Sequence, residues 1–111
     1  MNPVLVLTNM PEPGIAREIA GLLVDSGLAA CVNLLAPYTS IYHWQGRRES
    51  AEEIPVVIKT TQDRYMEVEA LICKHHPYEL PEIICVPLTA GHPAYFDWIQ
   101  TETHRPPCAN S

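Results

Sequence analysis

Two stretches of this chain run apolar without interruption, Val4-Leu5-Val6-Leu7 and Ile83-Ile84-Cys85-Val86. Side chains of a β-strand alternate between two faces, so a run with no polar break asks for cover on both. Such runs are far shorter than the ~20 apolar residues of a membrane-spanning helix. The chain therefore has at least two interior strands to bury. With 111 residues it has room for one domain and one hydrophobic core.

The sequence between and around these runs is well punctuated. Pro11 and Pro13 open a helix, because proline is tolerated in the first turn. Ile15, Ile19, Leu22 and Leu23 then form one apolar stripe, and Gly27 supplies the left-handed position that stops the helix. Residues 28–44 read as extended with a break at Pro37. Ser40, Tyr42 and Trp44 fall on one face, and Ile41, His43 and Gln45 on the other. Gln45-Gly46-Arg47-Arg48 is the expected turn of a long hairpin, which returns through residues 52–60 around Val56-Val57-Ile58. Pro55 cannot donate to a ladder and belongs at an edge or a bulge. A second helix is expected from about Asp63, capped by Asp63 or Thr61, with Tyr65, Val68 and Ile72 buried and Pro77 ending it. Gly91-His92-Pro93 starts a short third helix with Tyr95, Phe96 and Ile99 facing inward. Residues 1–102 make the domain; residues 103–111, polar and carrying Pro106-Pro107, are expected to be a flexible tail.

The order β-α-β-β-α-β plus a helix predicts an α+β fold of the ferredoxin-like type. It is a sandwich of two helices on one face of a four-stranded sheet, with a long hairpin between the second and third strands and an extra C-terminal helix. A domain this small buries only about two-thirds of its unfolded surface, and its sheet leaves edges open. Another copy of the chain is the expected cover.

Composition narrows the function. The formal net charge of −6 argues against nucleic acid and anionic membranes as partners. Met1-Asn2-Pro3-Val4 lacks the basic start and cleavage site of an export signal, so a cytoplasmic protein is expected. Cys31, Cys73, Cys85 and Cys108 are scattered without a CxxC pair and read as reduced thiols. There is no P-loop, no HExxH, no nucleophile elbow and no glycine-rich dinucleotide turn, so neither catalysis nor an organic cofactor is expected.

Several segments have a recognisable composition: Cys31-Val32-Asn33, Ser40-Ile41-Tyr42-His43-Trp44-Gln45-Gly46, Ile58-Lys59-Thr60-Thr61, His75-His76-Pro77-Tyr78-Glu79, Pro81-Glu82-Ile83-Ile84, and Gly91 followed by Tyr95-Phe96-Asp97-Trp98. Together they resemble the CutA family of divalent-cation tolerance proteins, over nearly the whole chain from Val4 to about Trp98. The resemblance implies a homotrimer built by strand pairing between subunits, architecturally similar to PII-type signalling trimers. It also implies a link to copper and divalent-metal tolerance, with copper bound by some members and no established catalytic activity. The family's copper-binding pattern has a histidine pair, matched here by His75 and His76, and a cysteine near the end of the first strand, where this chain has Thr8.

His75 and His76 are accordingly the metal-ligand candidates, since imidazole suits copper and zinc. Neighbouring helical residues point about 100° apart, so one ion shared by both rings needs a neighbouring subunit, Glu79, Glu82 or Cys73. The alternative is a polar pair that suits a helix C-terminus. Tyr42 and Trp44 either pack between subunits or line a pocket. Lys59, in an otherwise apolar strand, is expected to pair with Glu79 or Glu82 across a cleft. Tyr78 and Trp98 complete the residues expected at a cleft or trimer interface, and Glu49, Glu52 and Glu53 read as a solvated hairpin end. Two functions follow: a homotrimer that responds to copper or another divalent cation, or a PII-like signalling or scaffold trimer holding a small molecule or protein partner between subunits.

Overall fold

One fifteen-residue strand organises the molecule. The computed structural model describes residues 2–105, in the order β1 (Pro3–Met10), α1 (Pro13–Asp25), β2 (Cys31–Leu34), β3 (Tyr38–Trp44), β4 (Arg47–Thr61), a 3₁₀ turn (Gln62–Arg64), α2 (Tyr65–His75), β5 (Ile83–Pro87) and α3 (Pro93–Thr103). Residues 54–61 of β4 pair with β1, and residues 56–59 pair on the other side with β2. Residues 47–53 continue past the sheet and pair with β3 alone. The antiparallel order β2-β4-β1-β5, with α1 and α2 on one face, is the expected ferredoxin-like arrangement.

Local chemistry explains the junctions. Pro13 occupies the first helical position of α1. Gly27, at φ +75°, ends it in a Schellman motif, with Leu28 N–H donating to the Leu23 carbonyl and Gly27 N–H to that of Val24. The hairpin turns on Gln45-Gly46 alone, both at positive φ as a type I′ turn requires, so Arg47 and Arg48 already belong to β4. Pro55 lies in the centre of the sheet, opposite Asn9 of β1. Its carbonyl accepts from Leu35 N–H, and a residue's N and C=O point to the same side of a strand. The missing donor thus faces the interruption between β2 and β3, where no ladder bond is lost.

Other positions differ from the sequence-based expectations. Leu22 is 38% exposed, while Ala16, Ile19 and Leu23 are buried; Leu22 lies about 100° round the helix from that line. Neither Thr61 nor Asp63 caps α2, because the 3₁₀ turn intervenes and the Asp63 carboxylate is held by His104 at 2.7 Å. In α3, Ile99 and Thr103 are buried, whereas Tyr95 stacks on Trp98 with both rings about two-fifths exposed. Of the segment expected to be a tail, residues 103–105 are tied down. Arg64 Nε donates to the Thr103 carbonyl (2.8 Å), and Arg105 Nη2 donates to that of Val24 (2.9 Å). Residues 106–111 lie outside the described residues.

The core occupies the face shared by Val4, Val6, Val56 and Ile58 with Ile19, Leu23, Val68 and Ile72. The opposite face of the same strands carries Leu5, Leu7, Val57, Ile84 and Val86, by the register of β1 with β4 and β5. It is only half-buried, and Ile84 is 49% exposed. The two apolar runs therefore receive cover on one face from the chain itself and remain partly bare on the other. Among the described residues no helix is long and apolar enough to cross a membrane.

Candidate functional site

Asn9 is the last residue but one of β1 and is 6% exposed. Its backbone carbonyl accepts from His76 Nε2 (2.7 Å), its side-chain Nδ2 donates to Glu82 Oε1 (3.2 Å), and its Oδ1 accepts from the Tyr38 hydroxyl. Three segments far apart in sequence thus meet on one residue: the helix end at His76, the loop before β5, and the start of β3. His76 is 7% exposed and spends its second nitrogen as well, with Nδ1 accepting from Tyr78 N–H at 3.1 Å. A carbonyl can only accept and an N–H can only donate, so the ring is the Nε2–H tautomer. Tyr78 packs against it at a tilt of 54°, with centroids 4.7 Å apart.

This hub fixes one wall of a cleft of about 890 Å³ between the hairpin and the loop of residues 77–82. Tyr38, Ser40, Tyr42 and Trp44 come from alternate positions of β3, and Glu53 sits across the ladder from Tyr38. Tyr78, Glu79, Leu80 and Glu82 form the facing side. Burial, then the Glu82 carboxylate, raises the Tyr38 phenol above its ordinary range, against the lowering effect of its bond to Asn9. Burial, then the neighbouring Glu53 carboxylate, does the same to Tyr78. Both phenols are held as hydrogen-bond donors.

The cleft gathers Tyr42, Trp44, Tyr78, Glu79 and Glu82 from the sequence-derived candidates and excludes two. Within one chain Lys59 does not pair with Glu79 or Glu82. It lies six residues beyond Glu53 on β4, about 20 Å in extended chain, and its Nζ sits 5.8 Å from the Tyr95 ring centroid instead. Trp98 belongs to α3, beside Tyr95. Of the lining residues that escaped sequence reasoning, Tyr38, Asn9 and Glu53 shape the cleft most. Tyr38 continues the period-two series of Ser40, Tyr42 and Trp44 and was legible in principle. Asn9 and Glu53 carried no local signal, and Glu53, expected in solvent, is 7% exposed.

A profile of the family described as "CutA1 divalent ion tolerance protein" matches residues 4–102. The chain belongs to this family. Its sequence is 38% identical over 99 residues to the divalent-cation tolerance protein CutA of Thermus thermophilus, covering 89% of this chain and 96% of that one. The crystal structure of CutA from Xylella fastidiosa superposes with a TM-score of 0.90 at 38% identity, over 93% of this chain and 99% of that one. The CutA of Archaeoglobus fulgidus, described as periplasmic, reaches 0.89 at 30% identity over 92% and 99%. The family is named for tolerance of divalent cations and not for a reaction.

The residues present do not fit a copper centre built on the histidine pair within one chain. Both His76 nitrogens are engaged, and His75 is half-buried at the last position of α2. Thr8 offers a hydroxyl in place of a thiol, 2% exposed and without a hydrogen-bond partner. No group of three or more His, Cys, Asp or Glu side chains converges to hold a metal ion among the described residues.

Proposed function

We propose that this CutA1-family chain serves divalent-cation tolerance as a cytosolic homotrimer and carries out no reaction of its own. The observation behind this is the half-bare second face of the sheet. Leu5, Leu7, Val57, Ile84 and Val86 are side chains that a two-faced interior strand should bury, and α1 and α2 lie on the other side. Ile41 on the protruding hairpin, 70% exposed, extends the apolar surface available to sister copies. Unbridged Cys31, Cys73 and Cys85 suit a reducing compartment. Sedimentation equilibrium at micromolar concentration should return three times the 12.4 kDa of one chain. A stable folded single chain would end this reading.

Copper is the metal the family points to, and in this chain its histidine ligand is His75, with further donors from a neighbouring subunit. Titration with Cu(II) should lose its histidine-dependent binding in His75→Ala and keep it in His76→Ala; the reverse order would overturn the assignment. The cleft supports a second reading, a PII-like trimer that receives a small molecule or protein partner. Its concavity and aromatic walls have the size and make-up of a ligand pocket.

A further inference from the structure

We infer that the cleft under the hairpin receives an organic ammonium group, with Glu53 as its counter-charge and Tyr38, Tyr42, Trp44 and Tyr78 as the walls around its carbon skeleton. This rests on the second reading above and supplies its ligand class.

Three features lead there. First, the charge of the cleft is one-sided: Glu53, Glu79 and Glu82 line it, and no lysine or arginine does. Second, Glu53 is 7% exposed, yet no ion pair to it is formed among the described residues. A carboxylate so deeply placed is almost always matched by a positive group, because leaving water uncompensated is costly. Neither neighbouring phenol supplies a positive charge: Tyr38 donates to Asn9, and Tyr78, which hydrogen-bonds the Glu53 carboxylate, is neutral. Third, the remaining wall is aromatic, and ring faces attract alkylammonium ions, most strongly where water is excluded.

The same geometry favours an organic cation over a metal ion. A divalent metal needs several oxygen or nitrogen donors converging at bonding distance. Here Glu82 Oε1 is engaged by Asn9 Nδ2, and no three ligating side chains converge among the described residues. An ammonium group asks for less: one carboxylate and the faces of two or three rings. Asn9 holds both Tyr38 and Glu82 in place before any ligand arrives, so little ordering remains to be done on binding.

The test uses the full assembled chain, calorimetry, and two probes of one shape: choline chloride and its neutral carbon isostere 3,3-dimethyl-1-butanol. Choline should bind at least about tenfold more tightly than the isostere. Glu53→Gln, which keeps the size of the side chain, should weaken choline about tenfold, whereas Glu79→Gln, at an exposed position, should change it less. Equal binding of the two probes, binding of neither, or an unchanged affinity in Glu53→Gln would overturn the inference. So would heat from Mg(II) or Cu(II) that vanishes in Glu53→Gln while choline gives none, which would hand the cleft to a metal. Sedimentation of the same samples separates this from the assembly. A trimer that ignores choline removes the ligand class alone, and a single chain that binds it removes the trimer alone.

Discussion

Truncating His76 to alanine separates a ring that knits the fold from a ring that binds copper. The side chain is 7% exposed and makes two hydrogen bonds, to the Asn9 carbonyl at 2.7 Å and from Tyr78 N–H at 3.1 Å. Each is worth about 1 kcal/mol net, rising where the partner left behind stays buried. The contact with the Tyr78 ring, at 4.7 Å between centroids, adds about 0.5–1.5 kcal/mol. The total is about 3 kcal/mol. In urea, with fluorescence of Trp44 and Trp98 as the signal and protein concentration held fixed, the midpoint should fall by about 1–2 M. His75→Ala, at a half-buried ring, should stay within about 0.5 kcal/mol of the parent. If His76→Ala proves as stable as the parent and its only loss is copper binding, the hub on Asn9 has been misread and His76 is a ligand.

Three further outcomes are expected. Burial alone would raise the Asp63 carboxyl, but the hydrogen bond with His104 and the attraction of that ring outweigh it and hold it below its ordinary 3.8. A lowered carboxyl stabilises the fold fully above 3.8 and loses that contribution as pH falls through its folded value, so Asp63→Asn should flatten this acid limb of stability; an unaltered limb in pH-dependent urea melts refutes it. Tyr65 is raised to about 12, first by its bond to Glu69 and then by burial. Its contribution should persist below its ordinary 10.0 and fade as pH rises through 12, and ultraviolet titration should lose a late phenol in Tyr65→Phe. Gly27→Ala should cost about 1 kcal/mol, because φ is +75° while the nearest atom to a new Cβ, the Glu102 carbonyl oxygen, is 3.7 Å away. That is backbone strain without a clash, visible as a thermal midpoint several degrees lower.

Much of the fold was legible because its cues are local. Pro13, Gly27 and Gly46 act within one turn of themselves, and the stripe of Val68 and Ile72 needs only helical spacing. The stripe of α1 was read slightly too wide at Leu22, since periodicity locates a face only to within about one side chain. The site was less legible. His76 looked like a ligand because its spacing said helix end and its chemistry said imidazole. What settles its role is a carbonyl 67 residues earlier. Glu53 sits in an acidic run that reads as solvent-facing, and its burial arises from Tyr38 beside it and the loop of residues 77–82 across the cleft.

From its order of amino acids alone this chain was bound to form two apolar strands, two amphipathic helices and a tight hairpin, and so an α+β sandwich of CutA type. Those outcomes depend on neighbours within a few positions. Which side chains meet at the cleft was decided only by the folded chain, where Asn9 joins residues 29, 67 and 73 positions away. The bareness of the second sheet face belongs to that same level: a run of apolar letters demands two covers, and only the packed structure reveals that α1 and α2 provide one.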